Sequence, residues 1–366
     1  MVDGYGSLAS FMFMIKESTT YGAGGSGGTL AAPQLPTTLD VHIPFNPMKK
    51  FAWKMVPMTD IEEVYIGDDQ PTRFAVGYGE GDVTCETLYH APFQLGRVFA
   101  ATTSGAWAAD ATAIITASMT GNITTLKSDC IHLHVDSKSG SEDLDLNFYG
   151  CYIEEYAWIW EKDQPVRERI KYKYNQTATG AIAFNTAATY HNSKFAAWND
   201  QRFDASTSNV IGVGKSKISL TTTTDISADI GSVESIEWII RVKQYPYDNV
   251  GNDAMYYIAR GDISVEVVVK SRPKGSTLVT QMLSKWQNRT AGTVKFQITD
   301  AVAAEYYEYL QCTNMRIADI GDCDLPSAQD EGSMGLTTTF KNDVNSALTF
   351  AGKYAYATVP DPNTYI

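Results

Sequence analysis

The sequence predicts an all-β fold of two consecutive β units, each with one helix laid on it, and three observations carry that expectation. Aromatic residues make up 11% of the chain and charged residues only 19%, while long Glu/Lys-rich helical stretches are missing, the profile of strands rather than helices. Short runs alternate apolar and polar residues; Asp143-Leu144-Asp145-Leu146-Asn147-Phe148 keeps a strict period of two, giving one dry face and one wet or inter-subunit face. Landmarks also recur in the same order. Gly81-Asp82-Val83-Thr84-Cys85-Glu86 returns as Gly261-Asp262-Ile263-Ser264-Val265-Glu266, Trp53 is answered by Trp238, Pro92 by Pro273 and Cys151 by Cys312. A tandem duplication of one β domain follows as the expectation.

Taken in order, residues 1–36 combine an apolar strand with the loop Gly22-Ala23-Gly24-Gly25-Ser26-Gly27-Gly28, a flexible arm suited to a partner surface. The first β domain spans 37–174. Within it the segment between Trp53 and Phe74, tipped by Gly67-Asp68-Asp69-Gln70, reads as a β-hairpin arm, and Leu95, Val98 and Phe99 have helical spacing weakened by Gly96. Ala157-Trp158-Ile159-Trp160 and Arg169-Ile170-Lys171-Tyr172-Lys173-Tyr174 flank Asp163-Gln164-Pro165 and read as a hairpin. Residues 175–201 show no clear period and form the inter-domain segment. The second β domain spans 202–357, with Tyr245-Pro246-Tyr247-Asp248-Asn249 as the counterpart arm. Its helix starts at the N-cap Ser276 and places Leu278, Val279, Met282, Leu283 and Trp286 on one face. Residues 358–366, with two prolines, are a C-terminal extension.

The formal net charge of −13 disfavours nucleic-acid binding, and no dense basic patch offsets it. Five cysteines form no Cys-x-x-Cys pair and read as small buried residues in a reducing compartment, with a Cys312 to Cys323 hairpin disulfide as the alternative. Cys130, His132, His134 and Asp136 alternate along one strand. Neighbours in that row lie roughly 6.5 Å apart and could share an ion, but the outer members could not, so no metal and no cofactor is expected. No nucleophile elbow, phosphate-binding loop or His-Glu-x-x-His motif is present, and the chain reads as non-enzymatic. The apolar run Leu8 to Ile15 follows Asp3 rather than basic residues and is too short to span a membrane, so no membrane insertion is expected.

Gly4-Tyr5-Gly6-Ser7-Leu8-Ala9 and Glu17-Ser18-Thr19-Thr20-Tyr21-Gly22 resemble the opening of tail tube proteins from long-tailed viruses of bacteria and archaea. Gly81-Asp82 and Gly261-Asp262, which open strands leading to a helix, add to the resemblance, as do Tyr149-Gly150-Cys151-Tyr152-Ile153 and Leu310-Gln311-Cys312-Thr313. The resemblance implies β-sandwich domains whose inner sheets join those of neighbours into a ring-shaped β-barrel, with rings stacking into a hollow tube. A two-domain chain would form three-membered, pseudo-hexameric rings. It implies a homotrimer in the virion tail, made in the host cytoplasm, with a tape measure protein, a tail terminator and distal tail or baseplate proteins as partners, and viral DNA passing without specific binding. On this reading Tyr5, Tyr21, Asp68, Asp69, Gln70, Tyr245, Tyr247 and Asp248 are candidates for contacts between subunits or rings, and Asp143 and Asp145 for an acidic lumen wall. Two alternatives stand beside it: another β-rich virion component such as a capsid decoration or baseplate protein, and a carbohydrate-binding or glycan-cleaving β protein using its 21 Tyr and 7 Trp.

Overall fold

The computed structural model describes residues 10–16, 42–44, 48–54, 59–63, 73–77, 81–88, 108–109, 114–119, 129–135, 144–161, 164, 166–174, 176–179, 217–221, 233–248, 255–272, 276–299, 307–324, 335–343 and 345–353. The described residues are mostly β-strand with little helix, and every strand pairing among them is antiparallel. Apart from one separate two-stranded hairpin, the strands form a single hydrogen-bonded sheet network that branches and does not close on itself.

Its backbone is a run of eight strands. In the amino-terminal half, β3 (Met48–Lys54), β6 (Gly81–Leu88), β11 (Arg167–Tyr174) and the distal part of β10 (Leu144–Glu161) lie side by side in that order. In the carboxy-terminal half the order is β14 (Val233–Asp248), β15 (Met255–Ser271), β18 (Gly335–Asn342) and the distal part of β17 (Tyr307–Asp324). Pairing of β10 with β14 joins the two sets. One face of this sheet is dry because period-two alternation sends every second side chain to the same side. Across it runs the row Trp158, Trp238, Val267, Phe340 and Ile317, all buried and each opposite the next. Burying each such side chain contributes about 1.5–3 kcal/mol, and the Trp158–Trp238 pair is the member of the row that spans the two halves.

A second layer arises because β10 and β17 are long, 18 residues each, and serve two sets of neighbours. The proximal part of β10 pairs with β9 (Asp129–Val135) and β12 (Gln176–Thr179), and β9 carries β1 (Ser10–Lys16), which in turn carries β2 (His42–Pro44). The proximal part of β17 pairs with β16 (Gly292–Thr299) and β19 (Leu348–Lys353). Beyond β16 lies β13 (Lys217–Thr221); beyond β19 lie β8 (Ile114–Met119) and β7 (Ala108–Ala109), contributed by the first half. Each long strand changes neighbours at a bulge containing one left-handed residue, Gly150 (φ 63°) in β10 and Asn314 (φ 55°) in β17. Glycine and asparagine are the residues that tolerate this conformation at least cost. Aromatic edges tie the layers together: Trp158 to Phe296 at 5.5 Å and Phe148 to Tyr174 at 5.0 Å between ring centroids.

The one helix among the described residues, α1 (Ser276–Gln287), lies against β17. It ends in a left-handed turn at Arg289 (φ 49°), where the Thr290 N–H donates to the Lys285 carbonyl and the Arg289 N–H to that of Trp286. The covered stripe is narrower than the apolar spacing predicts. Met282 is buried, whereas Leu283 and Trp286 are exposed. The helical spacing around Leu95 lies outside the described residues, as does the segment 358–366.

Candidate assembly surfaces

Two kinds of strand border decide what this fold can do: the inner border between β10 and β14, and the two outer borders of the eight-strand run. At the inner border Trp158 stands opposite Trp238 on the dry face and Glu155 opposite Arg241 on the other. That second face carries a chain of ion pairs. Arg169 Nη2 donates to Glu155 Oε1 at 3.2 Å and to Glu237 Oε1 at 2.7 Å, while Arg241 donates to Glu155 Oε2 and Glu266 Oε2, both at 2.9 Å. Lys341 Nζ extends the chain to Glu266 at 3.8 Å, so it crosses β11, β10, β14, β15 and β18. Burial lowers the Arg241 pKa, but hydrogen bonds to Glu266 and Glu155, with their charges, outweigh it and hold the guanidinium above its ordinary value. Ala157, Ile159 and Ile239 form a buried apolar cluster on this same face. Each partly exposed pair adds about 0–1 kcal/mol, and what the set fixes is register, since a one-residue slip would set the ladder against the wrong partners.

The outer borders are β3 at one end and residues 316–324 of β17 at the other. Among the described residues no strand pairs with β3 on the side away from β6, nor with residues 316–324 on the side away from β18. These borders occupy the positions that β14 and β10 occupy inside. Trp53 lies opposite Val83, itself opposite Tyr172, as Trp238 lies opposite Val267 and Val267 opposite Phe340. Trp238 is fully buried; Trp53 is 42% exposed. The bulges place Gly150 with Asn314, Ile153 with Ile317 and Glu155 with Asp319. By the same register Cys151 matches Met315 rather than Cys312, and Val83 matches Val267 rather than Ile263, so those two sequence landmarks slip by three and four residues.

The arms are strands where they are described. β4 (Thr59–Glu63) pairs with β5 (Arg73–Gly77) as the separate hairpin; Asp68, Asp69 and Gln70, between its strands, lie outside the described residues. Tyr245, Tyr247 and Asp248 lie on the far end of β14, opposite Ala259, Tyr257 and Met255 of β15. Tyr5, Tyr21 and Asp143 lie outside the described residues. Asp145 is opposite His134 in the proximal part of β10, and so is not part of the eight-strand run. The apolar amino-terminal run forms β1, which the chain places between β2 and β9 of its own sheet.

Sequence reasoning could not have found the ion-pair chain, because Glu155, Arg169, Arg241 and Glu266 come from four strands. The signal available was only the alternation of Arg167, Arg169, Lys171 and Lys173 on β11. The Cys312 to Cys323 disulfide is a correction. Both residues lie on β17, eleven residues apart on one strand and therefore roughly 36 Å from each other. Cys85, Cys151 and Cys312 are buried free thiols; burial pushes Cys312 up to about 12, and burial followed by the charge of Glu168 raises Cys85 well above the thiol range. Cys130, His132 and His134 lie on β9, with Asp136 outside the described residues, and no group of three metal-ligand side chains occurs among the described residues. No described helix is long and apolar enough to cross a membrane. No family model matches the chain, and no curated protein matches it.

Proposed function

We propose that this chain is the major tail tube subunit of a long-tailed virus, made of two tandem β domains and assembling as three-membered, pseudo-hexameric rings that stack into a conduit for DNA. The observation that carries this reading is the repetition of β3-β6-β11-β10 as β14-β15-β18-β17, with one joint between the sets formed inside the chain and the two halves of an equivalent joint left at its ends. A chain that joins its own two domains through β10 and β14 can join the next chain through β17 and β3, and such a head-to-tail contact generates a ring if its rotation closes. Eight strands from each of three chains, spaced ~4.8 Å apart and tilted as in other barrels, would enclose a barrel about 48 Å across at the backbone, wide enough for a DNA duplex. Closure would also remove both exposed sheet borders.

On this reading the charged face lines the lumen. Its arginines are engaged: Arg167 by Glu86 at 2.6 Å and Glu161 at 2.9 Å, Arg169 by Glu155 and Glu237, and Arg241 by Glu155 and Glu266. A wall whose arginines are held by carboxylates does not grip phosphates, whereas unopposed arginines would bind them. Electron microscopy of the purified protein at high concentration, with end-on views averaged without imposed symmetry, tests the proposal. Hollow rings or tubes with three chains per ring are expected. Six chains per ring would overturn the duplication while keeping the tube, and compact closed particles would overturn the tube.

A further inference from the structure

We infer that the two outer borders carry opposite charge codes, lysine on β3 and aspartate on the end of β17, and that these codes make a second copy of this chain dock head to tail in one register. The inference rests on the self-assembly reading above and assigns the residues that direct it. β3 holds Lys49, Lys50 and Lys54 and no carboxylate. The border residues 316–324 of β17 hold Asp319, Asp322 and Asp324 and one cation, Arg316, which is already paired with Asp343 at 2.6 Å. Lys54 and Asp319 are exposed.

The register follows from the inner joint. There Glu155 pairs opposite Arg241 and Trp158 opposite Trp238. Glu155 corresponds to Asp319 and Trp238 to Trp53. Trp158 lies opposite Glu168 of β11, and Cys323 holds the matching place opposite Leu336 of β18, β17 having gained one residue between Ile320 and Cys323. Carried over to two copies, this sets Trp53 of one opposite Cys323 of the next, Lys54 beside Gly321 and Asp322, and Ala52 beside Asp324. Trp53 and Cys323 then stand at register positions whose cross-strand neighbours, Val83 and Leu336, are both buried. By the same register Lys54 and Asp319, both exposed, take positions on the opposite, wet face.

The code also decides what is rejected. Two β3 borders would set lysines against lysines, and two β17 ends aspartates against aspartates; like charges opposed on adjacent strands are unfavourable. Isologous dimers are thereby disfavoured and the head-to-tail contact is left.

Three variants test this: K50E/K54E, D322K/D324K, and the combination of all four substitutions. Assembly is followed by sedimentation velocity and microscopy, with circular dichroism to verify folding. Each two-site variant should need at least about tenfold more protein to assemble than the unmodified chain. The four-site variant, its code exchanged, should assemble in the unmodified range, and an equimolar mixture of the two-site variants should associate where neither does alone. The inference is overturned if either two-site variant assembles at the unmodified concentration, or if neither the four-site variant nor the mixture restores association. An unmodified chain that stays monomeric at high concentration would instead overturn the self-assembly reading, and this inference with it.

Discussion

Trp238 and Trp53 hold the same place in two like-ordered sets of strands, yet one is fully buried and the other 42% exposed. The difference is made by what lies beyond the strand. β14 has β10 against its outer side, with Trp158 facing Trp238, whereas among the described residues β3 has no strand there. An inner and an outer version of one border can therefore be compared within a single molecule, at matched positions and in one solvent.

The largest contrast should come from truncating the two indoles. W238A removes a fully buried aromatic from the joint and should destabilise the isolated chain by about 3–5 kcal/mol in urea unfolding. W53A, at a position still open to water, should cost less than half of that in the monomer and act chiefly on association. Equal losses in the monomer would mean that the β3 border is already covered, and the comparison would fall.

The legible part of the fold was what depends on local pattern. Alternation in Leu144, Leu146 and Phe148 marks β10, the Asp163-Gln164-Pro165 break marks its hairpin to β11, and Trp53 and Trp238 are matched landmarks in sequence and in register. The glycine landmarks misled because glycine serves two purposes here. Gly81 lies under the Tyr174 ring, while Gly261 sits in the bulge where the β14–β15 register shifts between Val242 and Gln244. At the two long-strand bulges the likeness is conformational, Gly150 and Asn314 both being left-handed, and two different residue names hide it. The charge ladder was illegible for another reason: its members are neighbours only after non-local pairing.

Glycine supplies the next contrast. A Cβ at Gly81 would fall within 2.1 Å of the Tyr174 ring, whose hydroxyl donates to the Lys54 carbonyl at 2.8 Å and so ties β11 to the end of β3. G81A must displace that ring and should cost about 1–3 kcal/mol. A Cβ at Gly321, on the outer stretch of β17, would meet nothing nearer than Thr337 at 3.6 Å, so G321A should stay within about 0.5 kcal/mol of the unmodified chain. Thermal unfolding of the two variants checks the difference, and a tolerated G81A would show that the Tyr174 tie is dispensable.

The smallest contrast concerns charge. Glu155 bonds both Arg169 and Arg241, and Asp319 occupies its place on the outer border, exposed to solvent. E155Q keeps the shape of the side chain and removes its charge, leaving two arginines each with one remaining carboxylate, Glu237 for one and Glu266 for the other. Because these groups are partly exposed, water screens them, and the expected loss is about 1 kcal/mol, shrinking as salt is raised. D319N should leave the isolated chain unchanged within about 0.5 kcal/mol. Unfolding of both variants at low and high ionic strength separates the outcomes. A salt-independent loss in E155Q would mean that Glu155 acts through its hydrogen-bond geometry rather than its charge. A measurable loss in D319N would mean that the outer border already has a partner inside the chain, which would remove the physical reason for a second copy to dock there.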